Sequence, residues 1–137
     1  MIVPDWPVEE IEPWLPKLDQ LGLAPILMVT PNTAPQRVEK IARASRGMVY
    51  VVSRMGVTGH ETQWGEKFQN YIASIRQHTD LPLAVGFGVR TTEDLNALTG
   101  KAEVAAFCSQ YIEWQRDDGS EIAADKMESI VRSIEPA

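Results

Sequence analysis

Apolar residues in this chain fall into short unbroken runs, separated by longer stretches in which they recur at every third or fourth position. The runs are IVP (2–4), APILMV (24–29), MVYVVS (48–53), LPLAVGF (81–87) and EVAAFCS (103–109). Continuous rather than alternating runs predict strands buried on both faces of a parallel sheet. The stretches between them predict helices. VEEIEPWLPKLDQLG places Ile11, Leu15 and Leu18 on one stripe, with Gly22 as the stop and with Pro13 and Pro16 tolerable only near a first turn. APQRVEKIARAS aligns Val38, Ile41 and Ala42, and EKFQNYIASIRQH aligns Phe68, Ile72 and Ile75. EDLNALTG is a short helix capped by Thr91 or Thr92. DKMESIVRSI closes the chain with Met127, Ile130 and Val131 inward, after a polar loop, QRDDGSEIAAD (115–125).

Regular strand–helix alternation predicts right-handed βαβ units and a parallel sheet in a single domain over residues 1–137. The units are too few for a complete eight-stranded barrel, which needs about 250 residues.

Charge and composition remove several function classes. Thirteen basic against nineteen acidic residues, a net charge of -6, argue against nucleic acid and against an anionic membrane as partners. No run approaches the roughly 18 apolar residues of a membrane span, and MIVPDWP lacks the basic start of a signal peptide. A lone cysteine, Cys108, excludes an internal disulfide and fits a cytoplasmic protein. It reads as a small buried hydrophobe, with no base adjacent to it. His60 and His78 lack partners at ligand spacing, and no metal or cofactor is expected.

In α/β folds, ligands gather at the C-terminal ends of the strands. The residues there are Asp5 after the first run, Thr30 and Asn32 after the second, and Arg54 to Gly59 after the third. Gly86-Phe87-Gly88 and Cys108-Ser109 follow the last two. Glycines admit positive φ and close approach of a ligand, and a helix starting just beyond adds a positive end that suits phosphate. Asp5 also suits a turn or cap role after VP, and the glycines suit ordinary turns.

VPDWPVEE, API ending in TPN, VSRMGVTG and LPLAVGFGV, in this order, resemble the second half of the tryptophan synthase alpha subunit. The resemblance covers nearly the whole chain and implies half of a (β/α)8 barrel. The expected fold is therefore α/β, a parallel (βα)4-5 half of a TIM barrel, completed by dimerisation or closed as a flavodoxin-like sheet. The family cleaves indole-3-glycerol phosphate into indole and glyceraldehyde 3-phosphate, and passes indole to a pyridoxal-phosphate-dependent beta subunit. By this resemblance Gly59, Gly88 and Ser109 bind the substrate phosphate. Tyr50, Phe87 and Met28 line the indole pocket, Arg54 and Thr58 belong to a loop that closes over it, and Asp5 lies near the beta-subunit contact.

The sequence also departs from that pattern. The family's acid/base glutamate and its indole-polarising aspartate belong to the half that this chain does not contain, so catalytic residues are expected to be absent here. Cys108 stands where the family has glycine, and a side chain there narrows the expected anion site, with Gln110 and the bulky Tyr111 following; Met55 replaces a small residue. Met1 directly before IVPD fits a chain starting at this boundary. Three readings stay open: a binding protein for a phosphorylated or indolic ligand without turnover, a lyase fragment needing its N-terminal half, and a protein-interaction scaffold. A homodimer is the favoured assembly. A complementary half-barrel or a beta-like subunit is the alternative partner.

Overall fold

Strand pairing follows chain order without a reversal. The structure, a computed structural model, describes residues 1–53 and 64–134. Four parallel strands, β1 (Met28–Val29), β2 (Val49–Val52), β3 (Leu83–Gly86) and β4 (Val104–Ala105), form one sheet in the order β1-β2-β3-β4. Ile2 adds a parallel bridge to Ile26, so the IVP run contributes an edge contact and not a full strand. A doubly wound sheet reverses its strand order at a switch point. The sequential order here is that of a barrel segment, and it overturns the flavodoxin-like alternative.

The helices lie largely where the periodicity places them. They are α1 (Val8–Ile11), α2 (Leu15–Gln20), α3 (Pro35–Ala44), α4 (Glu66–Arg76), α5 (Thr92–Leu98), α6 (Ser109–Asp117) and α7 (Ser120–Ser133). Pro13 falls in a 3-10 turn, Glu12–Trp14, between α1 and α2, and Pro16 falls in the first turn of α2. The prolines break one predicted helix into pieces because each removes an N–H from the helical ladder. Thr91 caps α5 in a capping box: its hydroxyl accepts from Asp94 N–H, and the Asp94 carboxylate accepts from Thr91 N–H.

The sheet is fully buried on one face and only partly on the other, which corrects the expectation of two buried faces. Register aligns Met28 with Tyr50, Tyr50 with Ala84, and Ala84 with Val104, so these four share a face. The opposite set, Val29, Val49, Val51, Leu83 and Val85, is fully buried and packs with Ile11, Val38, Ile41, Phe68, Ile72, Ile75 and Leu98 in one core. Each such side chain contributes about 1.5–3 kcal/mol by leaving water. On the other face Ala84 at the centre is buried, Met28, Tyr50 and Val52 are half-buried, and Val104 at the edge is 40% exposed. The apolar runs are continuous because the open face is apolar too.

Two C-terminal expectations fail. Residues 115–125 are mostly helical, and the predicted polar loop shrinks to Asp118-Gly119, with Gly119 at φ 90°. Val131 is 59% exposed rather than inward, whereas Ile130 packs against the core and Met127 is half-buried.

Candidate functional site

Strands β2 and β3 end side by side, and their register builds the site. Val52 pairs with Gly86, and Tyr50 lies two residues back on the same face. A Cβ at Gly86 would lie 1.8 Å from the Tyr50 hydroxyl oxygen and 3.2 Å from the Ala106 Cβ. Glycine at this position is therefore a space requirement: the end of the phenol rests directly on β3. Phe87 follows at φ 68°, in the left-handed region, and Gly88 at φ 89°. The Phe87 ring stands edge-on to Tyr50, with centroids 6.3 Å apart. Two contacts tie this turn to β2: Ser53 N–H donates to Gly86 C=O at 3.0 Å, and the Ser53 hydroxyl donates to Phe87 C=O.

Beyond β4 the chain enters α6, with Cys108 as N-cap and Ser109 as first helical residue. Cys108 makes no side-chain capping bond, so no side chain caps the first N–H groups of α6. Tyr50, Phe87, Gly88, Cys108 and Ser109 line a cavity of about 180 Å³. Cys108 is exposed at its rim, which corrects the buried-hydrophobe reading; the side chain sits where strand turns into helix. Burial, and then the neighbouring Cys108, push the Tyr50 phenol above its ordinary pKa. Tyr50 therefore stays a neutral hydrogen-bonding group at physiological pH. Tyr111 lines a different space, an apolar groove of about 570 Å³ between α6 and α7 with Phe107, Met127 and Val131, so it does not crowd this cavity.

The remaining expected residues lie elsewhere. Met28 and Asp5 line a second cavity of about 450 Å³ with Trp6, Thr30, Thr33 and Arg37, where an Arg37–Glu9 ion pair at 2.5 Å joins α3 to α1. Met28 shares the open face with Tyr50 but not its cavity. Arg54, Met55, Thr58, Gly59 and His60 lie outside the described residues. Among the described residues no group of three His, Cys, Asp or Glu side chains could hold a metal ion. No helix there is long and apolar enough to cross a membrane.

Sequence reasoning missed the scaffold behind the rim. Arg90 donates to Gln110 at 2.9 Å and pairs with Glu113, joining the β3 turn to α6. Asp94 accepts from Arg90 N–H at 2.8 Å and from the Trp64 indole N–H at 2.6 Å. The Thr91-to-Asp94 spacing was a visible capping signal. The Arg90 and Ser53 contacts link segments far apart in sequence and left none.

Comparison with known proteins shows the family and the fold. A family described as the tryptophan synthase alpha chain matches residues 1–136. The tryptophan synthase alpha chain of Desulfotalea psychrophila is 40% identical over 119 residues, 87% of this chain and 47% of that relative. A crystal structure of tryptophan synthase from M. tuberculosis superposes with a TM-score of 0.82 at 21% identity, over 99% of this chain and 50% of that one. A structure of the tryptophan synthase α2β2 complex from Pyrococcus furiosus superposes at 0.78 with 23% identity, over 94% of this chain and 52% of its own. The chain spans about half the length of the relatives it matches.

Proposed function

We propose, from the premise that this chain belongs to the tryptophan synthase alpha chain family, that it binds a phosphorylated indolic ligand without turning it over alone. The observation that carries this reading is the cavity in which an aromatic pair, Tyr50 and Phe87, meets Gly88 and the start of α6. The rings suit a flat apolar group. Gly88 lets a ligand approach the backbone closely, and the positive end of α6 at Ser109 suits a phosphate. In this reading Thr58 meets the ligand from the covering loop that also carries Arg54, and Gly59 joins Gly88 and Ser109 at the phosphate, while Met28 borders the neighbouring cavity. Asp5 faces a beta-like subunit. Carbon–carbon cleavage needs a positioned acid and base, and the family resemblance assigns the carboxylates for this role to the other half of the barrel.

Calorimetric titration of indole-3-glycerol phosphate into the chain tests this. Binding at sub-millimolar ligand, weakened at least tenfold by Gly88→Val, is the expected result. Absence of heat at millimolar ligand overturns it and points to the scaffold reading.

The half-length match and the open sheet face favour a second reading, a lyase fragment that works once a complementary N-terminal half covers that face. Appearance of indole on mixing the two halves supports it; co-folding without indole sinks it. For the chain by itself we propose that a second copy closes the face in a cytoplasmic homodimer.

A further inference from the structure

We propose that Ser53 is a positioning residue for the ligand cavity, setting Phe87 and Gly88 through a hydrogen bond that crosses from β2 to the turn after β3. The inference rests on the ligand-binding reading above. Phe87 has φ 68°, a conformation that residues with a Cβ avoid because the side chain crowds the carbonyl oxygen. Such a backbone persists where its surroundings over-determine it. Here the surroundings are specific. Ser53 is 8% exposed at the end of β2, its N–H donates to Gly86 C=O, and its hydroxyl donates to Phe87 C=O. The other buried serine, Ser45 at the C-cap of α3, donates only to Ile41 C=O one turn back, although it also accepts from Leu27 N–H at 3.4 Å. The Ser53 bond joins residues 34 apart in sequence.

The consequence falls on the cavity. Holding the Phe87 carbonyl toward β2 leaves the residue 47% exposed with its ring edge-on to Tyr50, and it delivers the chain to Gly88 on the cavity wall. Ser53 is absent from that wall, so it acts through Phe87 and not by touching ligand.

The test compares Ser53→Ala, Ser53→Thr and Ser53→Cys by two readouts. The first is the intraresidue amide–Hα Overhauser effect of 15N-labelled Phe87, which is strong at positive φ. The second is the affinity for indole-3-glycerol phosphate. We expect Ser53→Ala to weaken the Phe87 signal and lower affinity about tenfold, the scale of one lost buried hydrogen bond. Ser53→Thr, which keeps the hydroxyl, restores both to within about twofold. Ser53→Cys, isosteric with a weak donor, falls between and serves if the alanine variant does not fold. An unchanged Phe87 signal in the alanine variant, or failure of threonine to rescue, overturns the proposal. If the parent binds no ligand, the functional reading fails alone, and the Phe87 signal still decides whether Ser53 holds the turn.

Discussion

At the scale of single residues, the tightest constraint is the absence of space. Gly86 supports the Tyr50 phenol, and a Cβ there would lie 1.8 Å from its oxygen and 2.5 Å from Cζ. The atoms in the way belong to a rigid ring, so relief requires moving the whole side chain. Gly86→Ala is expected to destabilise by about 1–3 kcal/mol, the usual cost of overpacking, as read from urea midpoints. Tyr50→Leu in the same chain removes the obstructing ring and should recover most of that loss. A neutral Gly86→Ala would mean that Tyr50 does not rest on β3. The GFG triplet was legible as a site from its glycines, yet the reason for the first glycine was not. It depends on a tyrosine 36 residues earlier, brought over it only by strand register.

At the scale of elements, one carboxylate joins a helix and two strands. Glu103, just before β4, accepts from the Arg76 guanidinium at the end of α4 at 2.5 and 2.6 Å, and from Leu83 N–H at the start of β3 at 2.7 Å. Burial pushes its pKa up, but the Arg76 and Leu83 hydrogen bonds and the Arg76 charge outweigh this, leaving it below the ordinary 4.5. A carboxyl with a depressed folded-state pKa contributes stability that is present above its unfolded value and lost as pH falls through the folded one. Glu103→Gln should therefore lower stability by about 1 kcal/mol near pH 6, a figure kept small because the side chain is half exposed. The gap to the parent should close as pH drops below 4.5. A gap that stays constant down to pH 3 would show that the carboxylate's charge plays no part. Sequence reading found α3, α4 and α5 from periodicity and the Thr91 cap, and missed α6 because Ser109 to Asp117 buries no residue fully. A helix that packs mainly on another helix shows a weak apolar stripe.

At the scale of the molecule, the decisive feature is a sheet fully covered on one side and only partly on the other. Ile2, Phe87 and Val104 are 43, 47 and 40% exposed at or beside the open face, and apolar surface of this kind invites association. Solution mass by light scattering or sedimentation should report two chains at micromolar concentration. A mass of one chain at high concentration would exclude the homodimer. Introducing a charge at Val104 should shift the balance toward monomer, because a charged group in a closed interface is costly to desolvate.

The four strands, the helices between them, the parallel sheet and the end at which polar residues and glycines collect were readable from the sequence, because each follows from local periodicity and strand–helix alternation. The tertiary structure decided which sheet face is buried, why Gly86 must lack a side chain, and what holds Phe87 in its conformation. It also separated Tyr111 and Met28 from the Tyr50 cavity. The physical reason is the same in each case: periodicity reports that a side chain is apolar and repeats, while which partner it meets is set by register and by loops that close across dozens of residues.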